Sequence, residues 1–193
     1  MRVIAGRLRG RPLFAPRGLT TRPTADRARE AIFQILGDLS DLKVLDCYAG
    51  TGAMGIEALS RGASHAVFVE SHRSAARALA GNLERLGIEH EATLIEAPLE
   101  RARRKLVAHA PFDLVLSDPP WPIAGPAALA VARAVEGLLA SGARVLMGHP
   151  AAAPVEPVEG LTRVDVRKWG GSGMSFFEIP RDSSMLATGL VDR

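Results

Sequence analysis

From Lys43 onward, short apolar runs alternate with stretches of helical spacing. KVLDCY (43–48), HAVFVE (65–70), EATLIE (91–96), FDLVLSD (112–118) and ARVLMG (143–148) read as buried strands. Between them AMGIEALSRG (53–62) reads as a helix with Gly62 as its C-cap. Further helices are predicted over about 73–86, ending at Gly87, over roughly 98–109 and over about 126–140. Strands alternating with helices predict a parallel sheet covered on both faces, and right-handed crossovers make it doubly wound. Two more strands are predicted near 161–168 and 174–180, separated by GGSG, so the sheet should end in an antiparallel hairpin.

The start of the chain has a different texture. Residues 2–14 read as a short hairpin, with VIAG and RPLF around LRGR and with Gly6 and Gly10 free to take unusual backbone angles. APRGLTTRP (15–23) reads as an extended loop. Ala28, Ala31, Ile32, Ile35, Leu36 and Leu39 then follow helical spacing, which predicts a helix over 24–38 with Thr24 as N-cap and Asp26 in its first turn. The expected fold is α/β. It is a doubly wound, Rossmann-like, mostly parallel seven-stranded sheet with an antiparallel C-terminal hairpin and a small N-terminal hairpin and helix extension. The expected divisions are a basic extension over 1–23, the α/β domain over 24–181 and a patternless tail over 182–193 that should be mobile.

Length and composition agree with this. A chain of 193 residues, 47% hydrophobic and 23% charged, suits one medium α/β domain with a small appendage. Its single cysteine, Cys47, rules out an intrachain disulfide framework and a cysteine-based metal site, which fits a reducing cytoplasm. MRVIAGRLRG has no apolar segment behind its basic residues, so no signal peptide is expected, and no apolar run is long enough to span a bilayer. Charge changes the picture more. Residues 1–30 carry eight arginines against Asp26 and Glu30, a net +6, so the remaining residues carry −3 of the overall +3. A basic arm on a near-neutral body points to a polyanion such as RNA or DNA. The candidates are Arg2, Arg7, Arg9, Arg11, Arg22, Arg27 and Arg29.

The first strand of the alternating region ends in Asp46-Cys47-Tyr48-Ala49-Gly50-Thr51-Gly52, at the edge where doubly wound sheets bind ligands. Gly50, Gly52 and Gly55 satisfy the dinucleotide spacing G-x-G-x-x-G, so the glycines alone leave a nicotinamide-dependent oxidoreductase open. Asp46 argues the other way. A carboxylate beside a pyrophosphate is repelled, whereas the ammonium and sulfonium of S-adenosylmethionine favour one. Glu70, ending the second strand, can accept hydrogen bonds from both ribose hydroxyls in either kind of site, with Ser71 beside it. Glu96, ending the third, lies where an adenine edge could be read. Cys47 reads as a small buried filler, since no partnering base is evident.

The fourth strand runs into Ser117-Asp118-Pro119-Pro120-Trp121-Pro122. Two prolines fix an extended turn and contribute carbonyl acceptors without N–H donors. Asp118 adds a carboxylate and Trp121 a flat stacking surface. This set suits a planar substrate with an exocyclic NH2, whose hydrogens are gripped while the lone pair is aimed at a methyl donor, with Asp118 as general base. Asp118, Pro119, Pro120 and Trp121 are the expected catalytic group.

Together, Asp46-x-x-Ala-Gly-Thr-Gly, Glu70 and Asp118-Pro-Pro-Trp resemble the class I methyltransferases that act on exocyclic amines. Arg2-Val-Ile-Ala-Gly-x-x-Arg-Gly-Arg-x-Leu, Arg22-Pro-Thr-x-Asp26-Arg27-x-Arg29-Glu30 and Ala58-Leu-Ser-Arg-Gly-Ala resemble, more narrowly, the bacterial 16S rRNA guanine-N2 methyltransferases of the RsmD type. The resemblance covers about residues 1–180. It implies S-adenosylmethionine as cofactor, with Asp46, Tyr48, Ala49, Gly50, Thr51, Gly52, Glu70, Ser71, Glu96 and Asp118 around it. It also implies a guanine in 16S rRNA as substrate, an assembling small ribosomal subunit as partner, a cytoplasmic location, and neither a metal nor a membrane. Family members often carry Phe or Tyr at the place of Trp121, which keeps the stacking role. The same motif chemistry on adenine N6 or on glutamine stays open, as does a non-catalytic RNA-binding protein.

Overall fold

In a computed structural model the described residues are 1–16, 23–156 and 158–179. Arg22 and the tail over 182–193 therefore lie outside them. The elements are α1 (Pro23–Leu36), β1 (Lys43–Cys47), α2 (Ala53–Ser60), β2 (His65–Glu70), α3 (Arg73–Leu86), β3 (Ala92–Glu96), α4 (Leu99–Leu106), β4 (Phe112–Ser117), α5 (Ala124–Val135), β5 (Leu139–Pro150), β6 (Thr162–Trp169) and β7 (Ser172–Glu178). The strands form one sheet in the order β3-β2-β1-β4-β5-β7-β6. β1 to β5 are parallel, whereas β7 pairs antiparallel with both β5 and β6. The strand order reverses between β1 and β4, and the crevice outside their carboxyl ends is the expected ligand position.

Alternation along each strand sends side chains to two cores. Val44, Leu114, Leu146 and Phe176 face the layer that contains α1, α2 and α3, together with Phe33, Ile56 and Leu79. Leu45, Val67, Val115 and Val145 face α4 and α5, together with Leu106 and Val131. Burying each such side chain contributes about 1.5–3 kcal/mol before entropy is counted. The central strands are covered on both faces, which is why they read as continuous apolar runs.

The expected topology holds, and the differences are local. α1 already includes Pro23, the first described residue of this stretch, so Thr24, the expected N-cap, lies inside the helix. Ile35 is 46% exposed even though it fits the apolar spacing, and Phe33, outside that stripe, is fully buried. β5 begins at Leu139, four residues before the predicted strand, because α5 ends earlier, at Val135.

The N-terminal hairpin has a single Arg2–Pro12 bridge, closed by Val3 N–H to the Arg11 carbonyl (3.0 Å) and Gly10 N–H to the Val3 carbonyl (2.9 Å). Val3, Leu8 and Leu13 enter the α1–α3 core, so the extension packs as part of the domain. Glu57, 1% exposed in α2, ties it down by accepting the N–H groups of Ile4 (2.7 Å) and Ala5 (3.0 Å) and Arg61 Nε (2.8 Å). Among the described residues no helix is long and apolar enough to cross a membrane.

Breaking a buried ionic contact by removing one partner is strongly destabilising. Glu57→Ala is therefore expected to lower unfolding free energy by about 3 kcal/mol in urea titration and to open residues 1–14 to limited proteolysis. A loss below about 0.5 kcal/mol, the size of an ordinary surface change, would show that Glu57 does not hold the arm.

Candidate active site

The turn after β1 is built from left-handed backbone. Tyr48, Gly50 and Gly52 have φ of 56°, 56° and 83°. The glycines take such angles without strain, and Tyr48 is the non-glycine held there at a strand end. Nothing lies within 4 Å of where a Gly50 Cβ would sit, so the turn faces open space. Two carboxylates hold it from below. Asp46 accepts the Gly55 N–H (2.8 Å), filling one orphan donor of the α2 N-terminus. Glu70 accepts the N–H groups of Gly50 and His72, both at 2.7 Å, and so fixes the turn against the start of α3. Thr51 is buried, and its carbonyl accepts from Asn82 Nδ2 at 3.0 Å. Ala49 lies at the base of the turn, its N–H bonded to the Val69 carbonyl (3.1 Å). Ser71 is exposed beside Glu70.

Asp46 and Asp118 are perturbed carboxyls. Burial, with the neighbouring Asp118 and Glu70 charges adding to it, pushes Asp46 up to about 7 against the lowering effect of the Gly55 N–H. Crowding by protein around the mouth also raises Asp118, although its surface is open to solvent. Among the described residues no arginine or lysine offsets either charge. An uncompensated group of carboxylates attracts a cation and repels a pyrophosphate. The residues present therefore fit S-adenosylmethionine, with its ammonium and sulfonium, better than a dinucleotide. Burial first, and Asp46 second, hold the Cys47 thiol well above its ordinary range, consistent with a filler and not a nucleophile. Burial, then Glu100 and Cys47, carries Tyr48 up to about 12.

Asp118 follows β4 directly, one strand across from β1, with Cys47 in register with Ser117. Pro119 is buried and Pro120 exposed. The Pro120 carbonyl accepts the Ile123 N–H (3.0 Å) within a short 3-10 turn. Of the two proline carbonyls expected to face outward, this one is thus engaged. The Asp118 carboxylate stands exposed at the mouth beside it. Trp121 is 42% exposed, and a Cβ built on Gly171 in the β6–β7 turn would lie 3.4 Å from its Cη2. Glu96 is in register with Glu70 at the neighbouring strand end, exposed and paired with Arg73 (3.3 Å).

Comparison with known proteins identifies the frame in which this site sits. The model of the family described as "Conserved hypothetical protein 95", the RsmD family, matches residues 1–178. The chain belongs to this family. It is 37% identical over 122 residues to the ribosomal RNA small subunit methyltransferase D of Escherichia coli, a stretch covering 63% of this chain and 60% of that protein. It is 35% identical over 123 residues to the protein of the same name in Haemophilus influenzae, covering 63% and 64%. The aligned stretch thus spans less than two thirds of either relative. Its fold matches the solved structure of the Thermus thermophilus hypothetical protein TTHA0928 with a TM-score of 0.77 at 27% identity, covering 93% of this chain and 99% of that one.

In this member of the family the basic arm divides into inward and outward arginines. Arg29, expected at a phosphate, is 4% exposed. Its Nη2 donates to the Arg2 carbonyl (2.6 Å) and to Asp26 (3.0 Å), and its Nε stands 4.0 Å from Glu57, so it is a structural strut. Arg7 pairs with Glu91, and Arg11 donates to the Arg85 carbonyl (3.0 Å). Arg2, Arg9 and Arg27 are exposed.

Three positions escape the sequence reading. Asn82 sits in the apolar stripe of α3 and bonds both Phe14 and Thr51, joining the arm to the glycine turn. A polar residue at a core position is the signal that marks it. His149 is buried, with its Nδ1–H donated to the Pro150 carbonyl (2.8 Å) and its Nε2 accepting from Ser175 (3.0 Å), which anchors the end of β5. Gly148 leaves room for Asp118, since a Cβ there would lie 2.4 Å from its Oδ1 and 3.3 Å from its Cα. No sequence pattern shows that contact.

Two outcomes follow for the ligand-free protein. Because Asp46 titrates near 7 when folded and near 3.8 otherwise, the folded state holds the extra proton in between, and stability falls as pH rises through that window. Asp46→Asn is expected to flatten this slope in urea midpoints measured from pH 4 to 8, and identical slopes for the two proteins would refute the shifted titration. Gly148→Ala should displace Asp118 and lower turnover by about tenfold to a hundredfold while the melting transition stays cooperative. Full activity in that variant would show that Asp118 tolerates the shift.

Proposed function

We propose that the chain transfers the methyl group of S-adenosylmethionine to the exocyclic N2 amine of a guanine in small-subunit (16S) rRNA, presented by an assembling ribosomal particle in the cytoplasm. One observation carries the reading: carboxylates that lack a compensating cation lie directly beside Asp118-Pro119-Pro120-Trp121. The names of the curated relatives support RNA of the small subunit as the substrate. The guanine rests on the resemblance of the N-terminal motifs.

S-adenosylmethionine is the cofactor, and when bound it supplies an electrophilic methyl group carried on a sulfonium. Asp46 and Glu70 contribute the negative field that such a cation needs, and Glu70 keeps Gly50 close against the ligand's side of the turn. Trp121 stacks on the flat face of the base. Asp118 and the Pro119 carbonyl accept the two amine hydrogens, which turns the nitrogen lone pair out of conjugation with the ring. Asp118 then takes the surplus proton. Crowding has raised its proton affinity above that of an ordinary carboxylate, which suits a base.

The test is methyl transfer from labelled S-adenosylmethionine to small-subunit particles of a strain lacking its own enzyme, with the modified position mapped by primer extension. Incorporation at a guanine is expected. Transfer to DNA and not to the particles would overturn the substrate assignment. Asp118→Ala is expected to cut turnover by about 10²–10⁴-fold with cofactor affinity little changed, whereas Glu70→Ala mainly weakens cofactor binding. The reverse pattern would show that the two roles are misassigned.

A further inference from the structure

An open groove of about 440 Å³ lies between α1 and the edge strand β6, away from the Asp118 crevice. Ala31, Gln34 and Ile35 form one wall, and Arg167, Lys168 and Trp169 the other. Nothing in the methyl-transfer site described above uses these residues. The β6–β7 turn lies between the groove and that site. Trp169 and Pro150 both register with Ser172, which places this end of β6 at the mouth edge of the sheet, and Gly171 of the same turn lies against Trp121.

Its chemistry is specific. Trp169 packs partly on the core, while Ile35 across the groove is 46% exposed, so the lining offers apolar and aromatic surface. Lys168 and Arg167 are exposed cations. Asp165 neutralises part of the Arg167 charge at 2.6 Å. Arg27, exposed one helical turn before Ala31, extends the same α1 face with a further cation. A stacking surface flanked by cations is the combination that holds single-stranded nucleic acid, with bases on the aromatic ring and phosphates on Lys and Arg.

We infer that the α1–β6 groove is an RNA subsite, in which unpaired nucleotides flanking the target base stack at Trp169 while their phosphates lie on Lys168 and Arg167. This rests on the RNA-methyltransferase reading given above. The groove grips the flank and leaves the Trp121 pocket to the target base, so it acts on RNA affinity and register and not on the chemical step.

The experiment compares wild type with Arg167→Glu/Lys168→Glu on one wall and, independently, Ala31→Glu on the other. Three quantities are read: affinity for a fluorescent mixed-sequence single-stranded oligoribonucleotide across salt concentrations, KM and kcat on the small-subunit particles, and affinity for S-adenosylhomocysteine. For the double variant the expected result is an RNA affinity at least about tenfold weaker, with a salt slope shallower by about one unit or more, as two single-strand phosphate contacts imply. KM for particles rises in parallel, while kcat and S-adenosylhomocysteine affinity hold. Ala31→Glu should weaken RNA binding in the same direction without removing a cation. If wild type methylates particles and both variants keep its RNA affinity and KM, the groove assignment fails while the function stands. If the variants lose activity on particles but keep their oligoribonucleotide affinity, the groove meets a ribosomal protein and the RNA assignment is overturned. If wild type itself neither binds the RNA nor methylates the particles, the proposed function fails and the groove assignment with it.

Discussion

The contact on which the site depends is the pair of strand-end carboxylates that seize backbone N–H groups of the glycine turn. Asp46 holds Gly55 and Glu70 holds Gly50, at 2.8 and 2.7 Å. A charge-assisted hydrogen bond of this kind is stronger than a neutral one and is costly to leave unmade in a buried place. The two bonds fix where α2 begins relative to β1 and how the turn is presented to the crevice. Burial raises the proton affinity of Asp46 against the Gly55 N–H. The floor of the mouth thus carries carboxylates with no cation beside them among the described residues, which favours a cationic ligand.

A second ionic centre does for the N-terminal arm what the first does for the turn. Glu57 receives two arm N–H groups and Arg61, with Arg29 close by, and Arg29 reaches back to the Arg2 carbonyl. Arg61 in turn lies 5.1 Å over the Phe33 ring, coupling the cluster to α1. Asn82 links the exit of the arm at Phe14 to the Thr51 carbonyl of the glycine turn. The basic extension and the cofactor mouth thus share supports, so the arm is held in a defined place beside the crevice.

The strand and helix pattern was legible because both faces of the central strands are covered, which leaves unmistakable apolar runs punctuated by glycine. Asp46, Glu70 and Asp118 could be placed at the mouth because each lies at or next to the carboxyl end of a strand. What escaped depends on contacts between residues far apart in sequence. Arg29 and Arg27 sit two apart on one helix, and only tertiary packing turns Arg29 inward to Glu57 and Arg27 out. Gly148 reads as an ordinary strand glycine until Asp118 is seen against it. The Pro120 carbonyl seemed available because sequence cannot show that Ile123 closes the turn onto it.

Charge is unevenly placed around the mouth. Asp46 and Glu70 form its buried floor and Asp118 stands exposed above them, while exposed cations such as Arg27, Arg167 and Lys168 stand on the α1 and β6 surface. A phosphate entering the floor would meet like charge, whereas one on the rim meets cations. Under the proposed function, a nucleic acid is held by its backbone outside the crevice and meets the carboxylates with an uncharged base whose amine donates to Asp118. Electrostatics alone then favours a strand that is unpaired, or a base that is turned out, over a duplex lying across the mouth. Two aromatic side chains lie near one another there, Trp121 at the mouth and Trp169 across the β6–β7 turn. Substrate choice on this reading begins with the shape that the RNA can adopt, and the reacting group is selected afterwards.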